Sequence, residues 1–265
     1  MKYKNKLIIF SFLMAGMLSS CVDFYLGNEG CIKGSGSIVS EEFFLSDFSK
    51  VSSETVVDVE IVQGDEQKVI VEGHENMIDQ IELTVLNGEL QIDLRNHCYS
   101  TFQLKVFITL PQLDAVSIES TGNITLGDFA NVASFDVSVK STGNLKGNGL
   151  LQVAGLVVIE SESTGKVDLE LLCDELEVFM SSTGNVSLSG SCASQWVEMD
   201  GTGHYRSYEL DSDYCEVLSD GVGDAQLQVN EQLDVYINSV GSVYYKGDPV
   251  VSVNDKGTGS LVKVD

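Results

Sequence analysis

Ser120-Thr121-Gly122-Asn123 recurs unchanged as Ser141-Thr142-Gly143-Asn144 and Ser182-Thr183-Gly184-Asn185, and with one change as Ser163-Thr164-Gly165-Lys166. Looser copies follow as Gly201-Thr202-Gly203-His204, Gly221-Val222-Gly223-Asp224, Ser239-Val240-Gly241-Ser242 and Gly257-Thr258-Gly259-Ser260. The central glycines stand 18 to 22 residues apart. Self-similarity at that period marks a solenoid, in which each repeat is one coil.

The register around the glycine is tighter than the turn itself. Six residues before it stand Val116, Val137, Ile159, Val178, Val197, Val217, Val235 and Val253, all β-branched. Two residues after it stand Ile124, Leu145, Val167, Val186, Tyr205, Ala225, Val243 and Leu261. Apolar residues at alternate positions on both sides of a corner read as half-buried strands and exclude a helix, which needs spacings of three and four. Like positions should stack on rungs about 4.8 Å apart, and a parallel coil should wind right-handed. Glycine at the corner suggests a positive φ, and Asn after it suits both that region and side-chain ladders. The expected fold is all-β: a right-handed parallel β-solenoid (β-helix) of about eight coils over residues 113–265. In the last repeat Asp255 and Lys263 replace apolar residues, which should close the stack against end-to-end addition.

Residues 1–20 carry the pattern of a signal peptide, with Lys2, Lys4 and Lys6 ahead of an apolar stretch at 7–18 that is too short to span a bilayer. It ends in Leu18-Ser19-Ser20-Cys21, which resembles a bacterial lipobox with Cys21 as the lipidated residue. Residues 21–36, with Gly27-Asn28-Glu29-Gly30 and Gly34-Ser35-Gly36, read as a flexible spacer after that cysteine. The formal charge of −25 argues against nucleic acid and anionic membrane surfaces, both of which select basic patches. It favours solubility, cations or basic partners.

Residues 37–112 read as an N-terminal antiparallel β region capping the solenoid. Val57, Val59 and Ile61 alternate before Gln63-Gly64-Asp65, and Val69 and Val71 after it. Asn87-Gly88 joins Ile81, Leu83 and Val85 to Leu90, Ile92 and Leu94, a strong hairpin signal. A strand at 102–110 stops at Pro111, and a helical turn fits 75–78. Besides Cys21 the chain has Cys31, Cys98, Cys173, Cys192 and Cys215, an odd number that leaves at least one unpaired. Cys173 and Cys192 lie eight residues after their glycines, on neighbouring rungs within disulfide reach. Cys215 takes an apolar position. The sequence leaves the pairing open.

Together, Gly34-Ser35-Gly36 leading into Phe48-Ser49-Lys50-Val51, the Val57-x-Val59-x-Ile61-x-Gln63-Gly64-Asp65 segment, Asn87-Gly88-Glu89-Leu90, Ile108-Thr109-Leu110-Pro111 and the Ser-Thr-Gly-Asn turns resemble the autotransporter adhesin family with a head GIN domain. The likeness runs over roughly residues 34–264. It implies a β-solenoid and an adhesin-like role on exported Gram-negative proteins, and transfers no catalytic residue. An autotransporter would need its own C-terminal membrane barrel; here the lipid anchor is expected to hold the chain at the outer membrane, on either face.

Chemistry is sparse. His74, His97 and His204 are isolated from any metal-binding spacing. The densest polar cluster is Asp200 and Asp220, three residues before their glycines, with His204 and Asp224 one residue after theirs. Such oxygen donors suit Ca2+, and two carboxylates could hydrolyse a glycan. The simpler reading is polar corners facing water. Tyr205, Tyr208, Tyr244, Tyr245 and Trp196 could stack on sugar rings or fill coils. The expectation is a lipid-anchored, non-enzymatic cell-envelope protein without a required cofactor, binding a protein or glycan. A carbohydrate-active or cation-binding β-helix built on Asp200 and Asp220 is the alternative.

Overall fold

The structure is a computed structural model that describes residues 30–265; the signal peptide, Cys21 and the first part of the spacer lie outside the described residues. The predicted ladder is present rung for rung. Val116 pairs in parallel register with Val137, Val137 with Ile159, Ile159 with Val178, Val178 with Val197, Val197 with Val217, Val217 with Val235 and Val235 with Val253. A second ladder runs from Ile124 through Leu145, Val167, Val186, Tyr205, Ala225 and Val243 to Leu261. A third stretch completes each coil, as in Ala115–Ile118, Ile124–Leu126 and Phe129–Val132 of the first. Later coils fuse these stretches into long strands such as Val167–Met180, Val186–Met199 and Tyr205–Ser219. The interior is a continuous apolar column, with Val178, Val197 and Val217 fully buried. Stacked β-branched side chains hold it together by burial and dispersion.

The solenoid has about seven turns, slightly fewer than the eight coils expected. The N-terminal region also differs from a separate antiparallel cap. Lys50–Ser53 and Asp58–Gln63 continue the two ladders in parallel, with Val51 on Val116 and Val59 on Ile124. Leu90 and Val106 add a further parallel rung. The expected antiparallel pairing is present at this end as well: Ile81–Leu86 with Glu89–Leu94, Lys68–His74 with Leu104–Leu110, and Ile38–Phe43 with Lys68–His74. Alternation alone does not distinguish a parallel from an antiparallel neighbour, so the segment was legible as strand but not as solenoid. The Asn87-Gly88 hairpin has positive φ at both residues, as a type I′ turn requires. A single helical turn occupies Glu75–Ile78.

Residues 30–36 are not a free spacer. Cys31 is disulfide-bonded to Cys98, and Ile32–Lys33 pairs in parallel with Tyr99–Ser100. Asn76 accepts a hydrogen bond from the Ser35 N–H and donates one to the Lys33 carbonyl.

The corner glycines do not adopt positive φ; among the described glycines only Gly36, Gly88, Gly190 and Gly247 do. The constraint is close approach. A Cβ on Gly143 would collide with the Gly122 carbonyl, one on Gly165 with the Gly143 carbonyl, and so up the stack. At the C-terminal end Asp255 and Lys263 sit on the last rung as expected, with Lys263 ion-paired to Asp248. They do not make the end wholly polar: Val250, Val251 and Val253 are exposed there.

Candidate functional site

The four residues of the polar cluster divide between two structural tasks. At each corner but that of Asn185, where Lys166 one rung back offers no acceptor, the backbone N–H after the glycine donates to the side chain one rung back. Asp58 accepts from the Asn123 N–H, Asn123 from Asn144, Asn144 from Lys166, and Asn185 from His204. His204 Nδ1 then accepts from the Asp224 N–H at 3.1 Å, and Asp224 from Ser242 at 2.9 Å. His204 and Asp224 are thus links in a corner ladder. A buried or half-buried N–H left unpaired costs about 1–3 kcal/mol, which accounts for short polar side chains here. Asp200 and Asp220 project from the outer side of the preceding sheet, where Asp220 accepts a hydrogen bond from Asn238 Nδ2 at 2.7 Å. Among the described residues no hydrogen bond or ion pair joins Asp200 or Asp220 to His204 or Asp224, and no three His, Cys, Asp or Glu side chains are arranged to hold a metal ion.

The aromatic group also divides. Tyr205 is fully buried and fills a coil, so it offers nothing to a sugar. Its hydroxyl donates to Gln195 Oε1 at 2.7 Å, Gln195 Nε2 donates to Ser212 Oγ, and Ser212 donates to the Gln228 carbonyl. Burial holds the Tyr205 phenol neutral well above its usual range. Tyr208 lies under the Lys246 ammonium, 4.7 Å from its ring centre. Trp196 stands apart from these tyrosines, on another side of the coil.

Trp196 lies on the outward face of the sheet whose inward positions carry the valine ladder. Residues seven and five before each glycine point out of this sheet. The first column reads Val158, Glu177, Trp196, Glu216, Asp234, and the second Glu160, Phe179, Glu198, Leu218, Tyr236, each in parallel register. Phe179 and Trp196 meet edge to face, ring centres 4.9 Å apart and planes at 70°, a favoured aromatic geometry. Beside them an open groove of about 250 Å³ is lined by Glu175, Glu177, Trp196, Tyr214, Glu216 and Asp234. A second groove of about 220 Å³ on the same face includes Glu160, Phe179, Glu198 and Asp200. Tyr214 is half exposed and donates its hydroxyl to Glu231 at 2.6 Å. The sequence reading singled out Trp196 but missed Phe179, Tyr214 and the flanking glutamates. The signal was available in the columns seven and five before each glycine, the outward complements of the valine ladder.

Among the described residues Cys173, Cys192 and Cys215 are free and buried. Cys173 and Cys192 are partners on adjacent rungs. The hydrogen bond of the Cys192 thiol to Cys173, followed by burial, raises Cys192 far above its usual range, and burial raises Cys215. They serve as packed apolar groups.

Comparison with known proteins agrees with this architecture. A family model described as "Putative auto-transporter adhesin, head GIN domain" matches residues 47–249. No curated protein matches the chain. Three crystal structures share the fold. One from Parabacteroides distasonis ATCC 8503, described as a putative lipid binding protein, is 21% identical with a TM-score of 0.76, covering 88% of this chain and 99% of its own. A putative adhesin from the same organism is 17% identical with a TM-score of 0.72, covering 88% and 99%. A putative adhesin from Parabacteroides merdae ATCC 43184 is 19% identical with a TM-score of 0.72, covering 88% and 99%. At these identities the likeness speaks to fold alone.

Proposed function

This chain belongs to the family of auto-transporter adhesins with a head GIN domain, and from that premise we propose that it is a lipid-anchored, non-enzymatic binding protein of the Gram-negative cell envelope. The observation that carries the reading is the half-buried Phe179–Trp196 pair beside an open groove on the outward sheet face. Large aromatics that keep part of their surface in water on stacked strands suit the anchoring of a partner. Among the described residues no helix is long and apolar enough to cross a membrane, so Cys21 supplies the anchor in this reading. A lipid ligand, of the kind for which the first Parabacteroides distasonis structure is described, suits this groove less well, because carboxylates rim it.

The test is an array of immobilised glycans and proteins probed with the wild-type chain and with Phe179→Ala/Trp196→Ala. The expected result is at least one ligand that the wild type binds and the double variant loses. Binding that survives the double substitution would move the site elsewhere. The second reading, hydrolysis by the Asp200 side of this face, draws on Asp200 and Glu198 sharing one groove. Release of sugar products that stops in Asp200→Asn/Asp220→Asn would favour it.

A further inference from the structure

Resting on that reading, we infer that the groove around Trp196 takes a basic protein segment, seating its Lys or Arg side chains between the aromatic rings and the carboxylates. Three features of the face converge on a cation. Each ring of the central pair lies between two carboxylates in its own column, Trp196 between Glu177 and Glu216, and Phe179 between Glu160 and Glu198. A guanidinium or ammonium over such a ring meets the negative π face and a carboxylate together.

The carboxylates are also uncompensated. Glu175, Glu177, Glu198 and Glu216 form no hydrogen bond or ion pair among the described residues, whereas Lys140 pairs with Glu119 and Lys105 with Glu60 elsewhere on the chain. The two outward columns, from Val158 to Tyr236, hold no lysine or arginine; Arg206, on the strand Tyr205–Ser219, stands on another side of the coil beside Ser187. Finally, Glu216 sits directly beside Asp234 and Asp200 is followed on the next rung by Asp220; like charges opposed across strands are destabilising. A neutral sugar would leave that repulsion in place, and a polycation would relieve it. From Glu160 to Asp234 the charges extend over four rung steps, about 19 Å, which a single small cation does not fill and an extended peptide does.

Trp196 is the chain's one tryptophan, so its fluorescence reports on the groove directly. The full chain in detergent is titrated with octa-arginine and, separately, with a chitosan oligomer. The expected result is a saturable shift in Trp196 emission with octa-arginine, at least tenfold weaker in Glu177→Gln/Glu216→Gln and within twofold of wild type in Asp168→Asn/Glu170→Gln, whose side chains point from another side of the coil. Tm confirms that these surface variants are folded. Equal loss in both double variants would reduce the effect to whole-molecule charge and overturn the inference. So would a silent tryptophan, or tighter binding of chitosan than of octa-arginine. Should an array ligand depend on Trp196 while octa-arginine leaves its emission unchanged, the inference falls and the binding function stands. An array ligand indifferent to Phe179→Ala/Trp196→Ala would sink both.

Discussion

Gly223 lies directly over Gly203, so close that a Cβ on Gly223 would overlap the Gly203 carbonyl oxygen. Neither residue has a positive φ. Glycine is required here by the spacing between rungs, not by a left-handed backbone. Gly223→Ala should therefore force the coils apart and lower stability by about 3 kcal/mol or more, at or above the upper end of ordinary overpacking costs. Gly88→Ala tests the other mechanism: its φ is +78 with open space around it, so strain alone should cost about 1 kcal/mol. Thermal melts of the two variants should rank in that order.

Val178→Asp and Val217→Asp each place a charge in the dry column. Both should unfold the chain or lower its stability by more than about 4 kcal/mol, since the carboxylate has no partner there. Val253, in the same ladder but 53% exposed on the last rung, should tolerate Asp with a change below about 0.5 kcal/mol. Equal melting temperatures for all three would refute the ladder.

Asn144→Ala removes the acceptor for the Lys166 N–H and a donor to Asn123 Oδ1. A loss of about 1–2 kcal/mol is expected from the orphaned corner amide. Asp200→Asn, whose side chain supports no rung, should leave urea unfolding unchanged.

Alkaline pH should destabilise the protein. The Cys192, Cys215 and Tyr205 groups have native pKa values raised above their ordinary ones. Their stabilising contribution is complete below the ordinary thiol value and declines as pH rises past it, because the unfolded chain releases protons that the native chain retains. The decline begins near pH 8.5 for the thiols and approaches about 1.4 kcal/mol per pH unit for each group engaged. Melting curves between pH 7 and 10 check this, and Cys192→Ala/Cys215→Ala should flatten the slope. Native-state alkylation at pH 8 should label none of Cys173, Cys192 and Cys215, and denaturation should expose all three.

The Cys31–Cys98 bond closes a loop of 67 residues, worth about 4 kcal/mol in chain entropy. Reduction should release the segment before Ser37 to protease while the coils beyond Ala115 remain resistant, as limited proteolysis followed by mass spectrometry would show.

The sequence by itself determined the coil: a glycine every 18 to 22 residues with β-branched residues at a constant offset admits one stacking arrangement, since any register slip would turn the valines outward. It determined the Asn87-Gly88 hairpin for the same kind of reason, a local conformational demand that few residues meet. Tertiary structure decided the rest. Alternation at Val57, Val59 and Ile61 is silent on which strand lies alongside, so only the fold shows these residues extending the solenoid. Disulfide choice among five cysteines depends on distances across the chain, and the fold brings Cys31 to Cys98. The polar cluster looked like a site because its residues are close in sequence register, yet hydrogen bonding to the next rung engages His204 and Asp224 in the ladder. Phe179, Trp196 and their glutamates are dispersed in sequence and each is unremarkable alone. They form one surface because parallel rungs bring residues about twenty positions apart to within a strand spacing, a proximity visible in the sequence only when the repeats are aligned on their glycines.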